Sequence, residues 1–156
     1  MTLALNAWGS MNQKVGTTET SDNSDVSVTV VRGFYETLLR GKVEAIVDLL
    51  DPEVEWRAPE SLPWGGVFHG HEGFREFFGK LFGQPVDSRR DVREYLRAGD
   101  RVVVRLRLFG RRKGRETEVE VPEIHIWTVR NGKILGLDAY FDTALFLGAL
   151  DIQPRT

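Results

Sequence analysis

The chain has 156 residues, with 41% hydrophobic and 28% charged residues and a formal net charge of −2, which is the size and balance of one globular domain. A chain of this length buries roughly 70% of the surface its unfolded form exposes, so it needs no covalent staples. It contains no cysteine, which excludes disulfides, thiolate nucleophiles and cysteine-held metals. No apolar run approaches the ~20 residues that cross a bilayer, so no membrane partner is expected.

Met1 to Ser10 carry no basic segment and Leu3 to Trp8 is interrupted by Asn6, so no secretory leader is expected and the cytoplasm is the expected location. The stretch NQKVGTTETSDNSD, Asn12 to Asp25, is polar and almost free of large apolar groups, and cannot offset its own ordering entropy. Residues 1–24 are therefore expected to be a flexible tail, 25–150 the folded domain and 151–156 a C-terminal tail.

After a cap at Ser24-Asp25, Val30, Val31, Phe34, Tyr35 and Leu38 recur at helical spacing, and Gly41 marks the stop. A shorter helix follows through Val43, Ile46, Val47 and Leu50, expected to end at Asp51-Pro52 because proline disfavours helical geometry in its predecessor. Val54 and Trp56 alternate with Glu53, Glu55 and Arg57 as in a half-buried strand. Beyond the loop PESLPWGGVFHG, Phe74, Phe77, Phe78, Leu81 and Phe82 form the strongest helical stripe in the chain. From about Val86 the period becomes two: Val92 to Leu96, Val102 to Phe109, Thr117 to Val129 and Ile134 to Phe141 read as strands, with turns at residues 112–114 and Asn131-Gly132. Helices first and strands later argue for an α+β fold with helices on one face of a curved sheet.

The segments VRGFYETLLRGKVEAIVDLLDPEVEW, GHEGFREFF and HIWTVRNGKILGLDAYFDTALFLGAL, in this order and spacing, resemble the ketosteroid isomerase superfamily and specifically its SnoaL-like polyketide cyclase branch. The resemblance spans nearly all of residues 26–150. It implies a cone-shaped, curved antiparallel (mixed) sheet wrapped around N-terminal helices, an apolar pocket, a homodimer and no cofactor. It also implies site positions. The isomerase tyrosine falls on Phe34, its carboxylate base on Trp56, and its neutral acid on Ile124 or, with a one-residue shift, Glu123. The aspartate of the cyclases falls on Ala139, whereas their histidine is matched by His125. Phenylalanine and alanine neither carry a proton nor hold an oxyanion, so an acid must come from elsewhere.

His125 is the first candidate for that chemistry because histidine titrates near neutrality, although an interior hydrogen-bonded histidine would look the same. Two registers are open. A two-residue turn at Asn131-Gly132 sets His125 opposite Asp138, and a three-residue loop sets it opposite Leu137. The resemblance favours the second, with Glu123, His125, Trp127, Ala139 and Phe141 on one side and Glu123 opposite Ala139. Glu123 would then replace the missing aspartate, or else mark a bulge after Pro122 and face solvent.

Phe34, Trp56, Trp64, Phe68, Phe78, Trp127, Ala139 and Phe141 are expected around the pocket, with Trp64 at its mouth. Asp142 is expected to cap a last helix. His69 and His71 lack a third partner for a metal, so no metal site is expected. Arg101, Arg105, Arg107, Arg111, Arg112, Lys113 and Arg115 concentrate positive charge, but Glu116, Glu118 and Glu120 on the adjoining strand offset it, and nucleic acid is not an expected partner. The leading expectation is a cofactor-free acid/base isomerase or cyclase acting on a small hydrophobic carbonyl compound, with His125 and Glu123 catalytic. The alternative is a non-catalytic domain that binds a hydrophobic ligand or dimerises as an accessory.

Overall fold

The computed structural model describes residues 25–156 and a two-residue strand, β1 (Thr18–Glu19). The remainder of the tail expected over residues 1–24 lies outside the described residues. The helix α1 (Val26–Leu39) starts at Asp25, whose carboxylate accepts from the amides of Ser27 and Val28 at 2.9 and 3.4 Å. It stops at Gly41, which takes a φ of 70°. There the Gly41 and Lys42 amides turn back to the carbonyls of Leu38 and Thr37, the paired bonds of a glycine-terminated helix. Its buried face, Val28, Val31, Phe34, Tyr35 and Leu38, lies across the concave side of the sheet.

The second helix is shorter than expected. α2 (Val43–Ile46) passes through a single 3-10 turn (Val47–Leu49) straight into β2 (Leu50–Ala58), so Asp51-Pro52 belongs to a strand and does not end a helix. Pro52 is tolerated because the pairing of β2 with its neighbour shifts between Leu50 and Glu55, and an irregular stretch asks no ladder bond of it. A loop leads to β3 (Gly66–His69) and α3 (Gly70–Phe82). The loop is tight: a Cβ on Gly65 would meet the Pro59 carbonyl oxygen at 1.8 Å, so only glycine fits there.

Four long strands follow, β4 (Val86–Ala98), β5 (Arg101–Arg112), β6 (Glu118–Arg130) and β7 (Lys133–Phe141), then α4 (Thr143–Leu150). The sheet order is β1-β4-β5-β6-β7-β2-β3. β4 to β7 run as an antiparallel meander, β2 joins β7 in parallel, and β3 returns antiparallel. The mixed, curved, unclosed sheet with helices in its concavity is the α+β cone read from the sequence. Strict alternation along β5 and β6 puts Val102, Val104, Leu106 and Leu108 inward with Val121, Glu123, His125 and Trp127. The helix α4 closes one end of the cone, capped by Asp142 on the Leu145 amide at 2.9 Å. Phe146 packs directly on Gly110, where any Cβ would come within 2.5 Å of its ring.

The β6–β7 hairpin follows neither expected register. Asn131 and Gly132 do form a two-residue turn, at φ 51° and 74°, with Arg130 opposite Lys133, as a tight hairpin with two left-handed residues requires. A bulge then leaves Leu135 unpaired between Ile134 and Gly136, and the extra residue shifts everything beyond it. His125 consequently faces Ala139, and Glu123 faces Phe141 instead of Ala139. Because the shift from the favoured register is two residues, the faces are unchanged: Glu123, His125, Trp127, Ala139 and Phe141 share the concave side, with Asp138 and Tyr140 outside. The bulge expected as an alternative at Pro122 is absent, since β5 and β6 pair without interruption from Arg101 to Arg111.

Candidate functional site

The concave face of β6 carries three polar or amphipathic side chains in succession, Glu123, His125 and Trp127, spaced by the two-residue period of a strand. Two other elements complete them. α1 crosses this face and sets the Tyr35 hydroxyl 2.7 Å from His125 Nδ1, while the Trp127 indole N–H donates to the same hydroxyl oxygen at 3.0 Å. β4 sets the Arg90 guanidinium against the Glu123 carboxylate, Nε to Oε1 at 2.5 Å and Nη2 to Oε2 at 3.4 Å. His125 Nε2 lies 3.3 Å from Glu123 Oε1. The result is one chain of polar contacts, Trp127–Tyr35–His125–Glu123–Arg90, running through the middle of an aromatic core.

Glu123 is 1% and His125 4% exposed. Burial by itself pushes the Glu123 carboxyl upward, but the charge of Arg90, then His125, and the hydrogen bonds of both outweigh it and hold the group at about 2. Glu123 is therefore ionised across the neutral range. Burial is also the main cause that raises the Tyr35 phenol well above its ordinary value, with smaller upward contributions from Tyr95 and Glu123. Tyr35 stays protonated and keeps an O–H to give.

One side of this chain opens on a cavity walled by α1, β2, the loop after β2, α3, β4, β6 and β7. The space is about 440 Å³ counted out to its mouth, of which about 30 Å³ is open to the centre of a water-sized molecule. Arg90, Glu123 and His125 form its polar end. Of the residues expected around it, Phe34, Trp56, Trp64, Phe78, Ala139 and Phe141 line it, joined by Leu62 and Phe77. Phe68 and Trp127 do not. Phe68 lies on the outlying strand β3 and touches Phe77, at 5.6 Å between ring centres. Trp127 is sealed behind Phe34, Tyr35 and Trp56, at 4.6, 5.8 and 5.7 Å. Trp56 is a packing hub, in ring contact with Phe34, Phe74, Phe77 and Phe78.

The mouth loop is fastened from the C-terminal side. The Arg155 amide donates to the Ser61 carbonyl at 2.8 Å, its guanidinium donates to the Gly65 carbonyl at 3.1 Å, and the Ser61 and Thr143 hydroxyls meet at 2.8 Å.

Tyr35 and Arg90 are the members of this polar chain that sequence reasoning passed over. Tyr35 reads as one more apolar member of the α1 stripe. Arg90 carried a usable signal, because it falls in phase with Val86 and Val92 on the inward side of β4. His69, with 71% of its side chain exposed, lies near Glu55 at 3.7 Å. His71 Nε2 bonds the Leu50 carbonyl at 3.1 Å. Among the described residues no three of His, Cys, Asp and Glu gather as a metal-holding group, and no helix is long and apolar enough to cross a membrane.

Residues 31–137 match the SnoaL-like domain family. The chain belongs to that family. No curated protein sequence matches it. Among solved structures, this SnoaL-like chain is similar to TerC, co-crystallized with polyporic acid, at 28% identity and a TM-score of 0.73 over 81% of this chain and 99% of TerC. A nuclear-transport-factor-2-like protein of unknown function from Burkholderia pseudomallei K96243 gives 23% identity and a TM-score of 0.73 over 81% and 98%. A protein proposed to be a SnoaL-like polyketide cyclase from Jannaschia sp. CCS1 gives 21% and 0.68 over 86% and 99%. The latter two show the shared fold, and they fit the helix-filled cone described above.

Proposed function

We propose that this SnoaL-like protein is a cofactor-free enzyme that relocates a proton on a small aromatic carbonyl compound, as an isomerase or cyclase does, with Glu123 accepting the proton and His125 orienting Glu123. What supports the reading most is an ionised Arg90–Glu123 pair, with His125 against its carboxylate, buried on the wall of an otherwise aromatic cavity. Such burial costs several kcal/mol per ion before attraction repays any of it, and clusters of this kind concentrate at sites of function.

The step needs no co-reactant. A C–H or O–H bond of the ligand breaks, the Glu123 carboxylate takes the proton, the electron pair moves onto the ligand's carbonyl oxygen, and the proton returns at a different atom. The Arg90 guanidinium supplies positive charge beside the oxygen where negative charge collects. A carboxylate held at about 2 is a weak base, and proton transfer is efficient only when the two partners are matched. The favoured substrates are therefore enolic or polycarbonyl ring compounds, whose protons are already acidified. Open space of about 30 Å³ is room for roughly one or two waters, so a ring system enters by displacing part of the aromatic wall, Trp64 first. TerC was co-crystallized with polyporic acid, which makes that acid the natural first probe.

Polyporic acid is expected to raise the melting temperature. Aromatic 1,3-dicarbonyl compounds incubated in heavy water with the protein are expected to gain deuterium at the carbon between the carbonyls, and Glu123→Gln should slow this by ~10²–10⁴-fold. Equal exchange in the variant sinks the role of Glu123. A second reading, a binding domain without catalysis, is favoured by Phe34, Trp56 and Ala139 occupying the positions where the resemblance puts catalytic groups. It predicts the stabilisation with no exchange above background.

A further inference from the structure

We infer that Tyr35 is a positioning residue: its hydroxyl occupies the Nδ1 lone pair of His125, fixes the ring proton on Nε2, and so removes His125 from the role of proton acceptor. The second half of this inference rests on the function proposed above; the first half stands on geometry alone.

The direction of every hydrogen bond in the chain follows from its two ends. An indole nitrogen is only ever a donor, so the Tyr35 oxygen accepts from Trp127 at 3.0 Å. A guanidinium is likewise only a donor, so Glu123 accepts from Arg90 at 2.5 Å. Between these ends lie Tyr35, with one O–H to give, and His125, with one ring nitrogen against each neighbour at 2.7 and 3.3 Å. An ionised Glu123 can only accept, so Nε2 facing it carries the hydrogen. Nδ1 is then bare, and it accepts from the Tyr35 O–H.

The opposite arrangement leaves groups stranded. A proton on Nδ1 would be given to the Tyr35 oxygen beside the one it accepts from Trp127, and the Tyr35 O–H would then have to turn elsewhere. Among the described residues the Tyr35 hydroxyl has no other hydrogen-bonding contact than those with His125 and Trp127. A buried hydroxyl without a partner is costly. The other groups packed on this ring do not alter the balance: Ala139 and Val104 oppose it across β7 and β5. Tyr95 lies behind Tyr35 at 6.2 Å between ring centres, and the charged groups are Glu123 and Arg90. His125 thus faces the cavity with neither nitrogen open, and Glu123 is left as the acceptor.

Long-range proton–nitrogen NMR of the imidazole at neutral pH tests the geometric half without any substrate. The expected spectrum of His125 shows a protonated Nε2 and a bare, hydrogen-bonded Nδ1. In Tyr35→Phe the Nδ1 resonance should move toward that of an unbonded ring nitrogen while Nε2 holds its position; Trp127→Phe, one step further along, should move Nδ1 the same way by less. A protonated Nδ1 in the parent protein, or an Nδ1 resonance unmoved in Tyr35→Phe, overturns the assignment. The exchange assay tests the other half. His125→Gln, which keeps a donor toward Glu123, should retain at least ~10-fold more activity than Glu123→Gln, the lower end of what a positioned base contributes exceeding that margin. Equal losses overturn the division of roles, whereas a parent protein without exchange removes the proposed function and leaves the NMR result standing.

Discussion

Arg89 and Arg90 are neighbours in sequence and face opposite sides of the same sheet, and each pairs with a glutamate of β6. Arg89 reaches Glu118 at 3.0 Å on the convex side, with 31% and 42% of the two side chains exposed, and its guanidinium lies 3.8 Å from the centre of the Phe109 ring. Arg90 reaches Glu123 at 2.5 Å on the concave side, with 11% and 1% exposed. The chemistry is the same and the surroundings are not. On the outside, Arg89–Glu118, Arg105–Glu94 and Arg107–Glu120 lace the strands together in solvent, where such pairs contribute about 0–1 kcal/mol each. On the inside, one pair has lost its water and stabilises the fold only so long as both members remain. An arginine–glutamate pair on this sheet is thus either a surface detail or the centre of a site, decided by one step of strand phase.

Breaking the inner pair should have the largest effect. Arg90→Ala leaves a carboxylate buried without its counter-charge and is expected to cost ~3–5 kcal/mol, read as a shift in the urea unfolding midpoint. A loss below ~1 kcal/mol would mean that the inner pair behaves like the outer ones.

Acid titration sharpens the same contrast with less disturbance. Glu123 sits at about 2 in the folded chain against a reference of 4.5. A depressed carboxyl contributes stability that is fully present above the unfolded value and lost as pH falls through the folded one. Each tenfold gain in acidity on folding is worth about 1.4 kcal/mol. Glu123 should therefore supply about 3 kcal/mol above pH 4.5 and lose it between 4.5 and about 2. In Arg90→Ala that acid limb should disappear from the stability profile. The smallest effect belongs to the outer face: Arg89→Ala should change stability by under ~1 kcal/mol, and less still in high salt, where surface pairs are screened.

Much of the cone was legible because its signals are local. The Phe74, Phe77 and Phe78 stripe and the period-two runs of β5 and β6 each declare one buried face, and Asp25 and Asp142 mark helix starts through a single side chain. The site was legible in part. His125 and Glu123 lie on one strand, so their shared face follows from counting. Their partners come from α1 and β4, and nothing near Tyr35 or Arg90 in sequence says which strand they will meet. The register escaped for a different reason: Asn131-Gly132 specifies the turn correctly, but the Leu135 bulge beyond it is marked by nothing stronger than the adjoining Gly136, a signal that the period-two reading of the strand passed over. Pro52 misled in the opposite direction, since a residue that usually stops a helix here occupies the irregular opening of a strand.

Arg155 gives the cavity a kinetic address far from its chemistry. The Leu62–Trp64 loop is part of the cavity wall, and it is held at Ser61 and Gly65 by bonds from the last few residues. Under the proposed function, the hold on a ligand falls to Arg90, Glu123 and the aromatic wall. The bonds from Arg155 reach the loop backbone on either side of Trp64 and neither charged group, so Arg155→Ala is expected to change a ligand's rate of entry more than its equilibrium affinity.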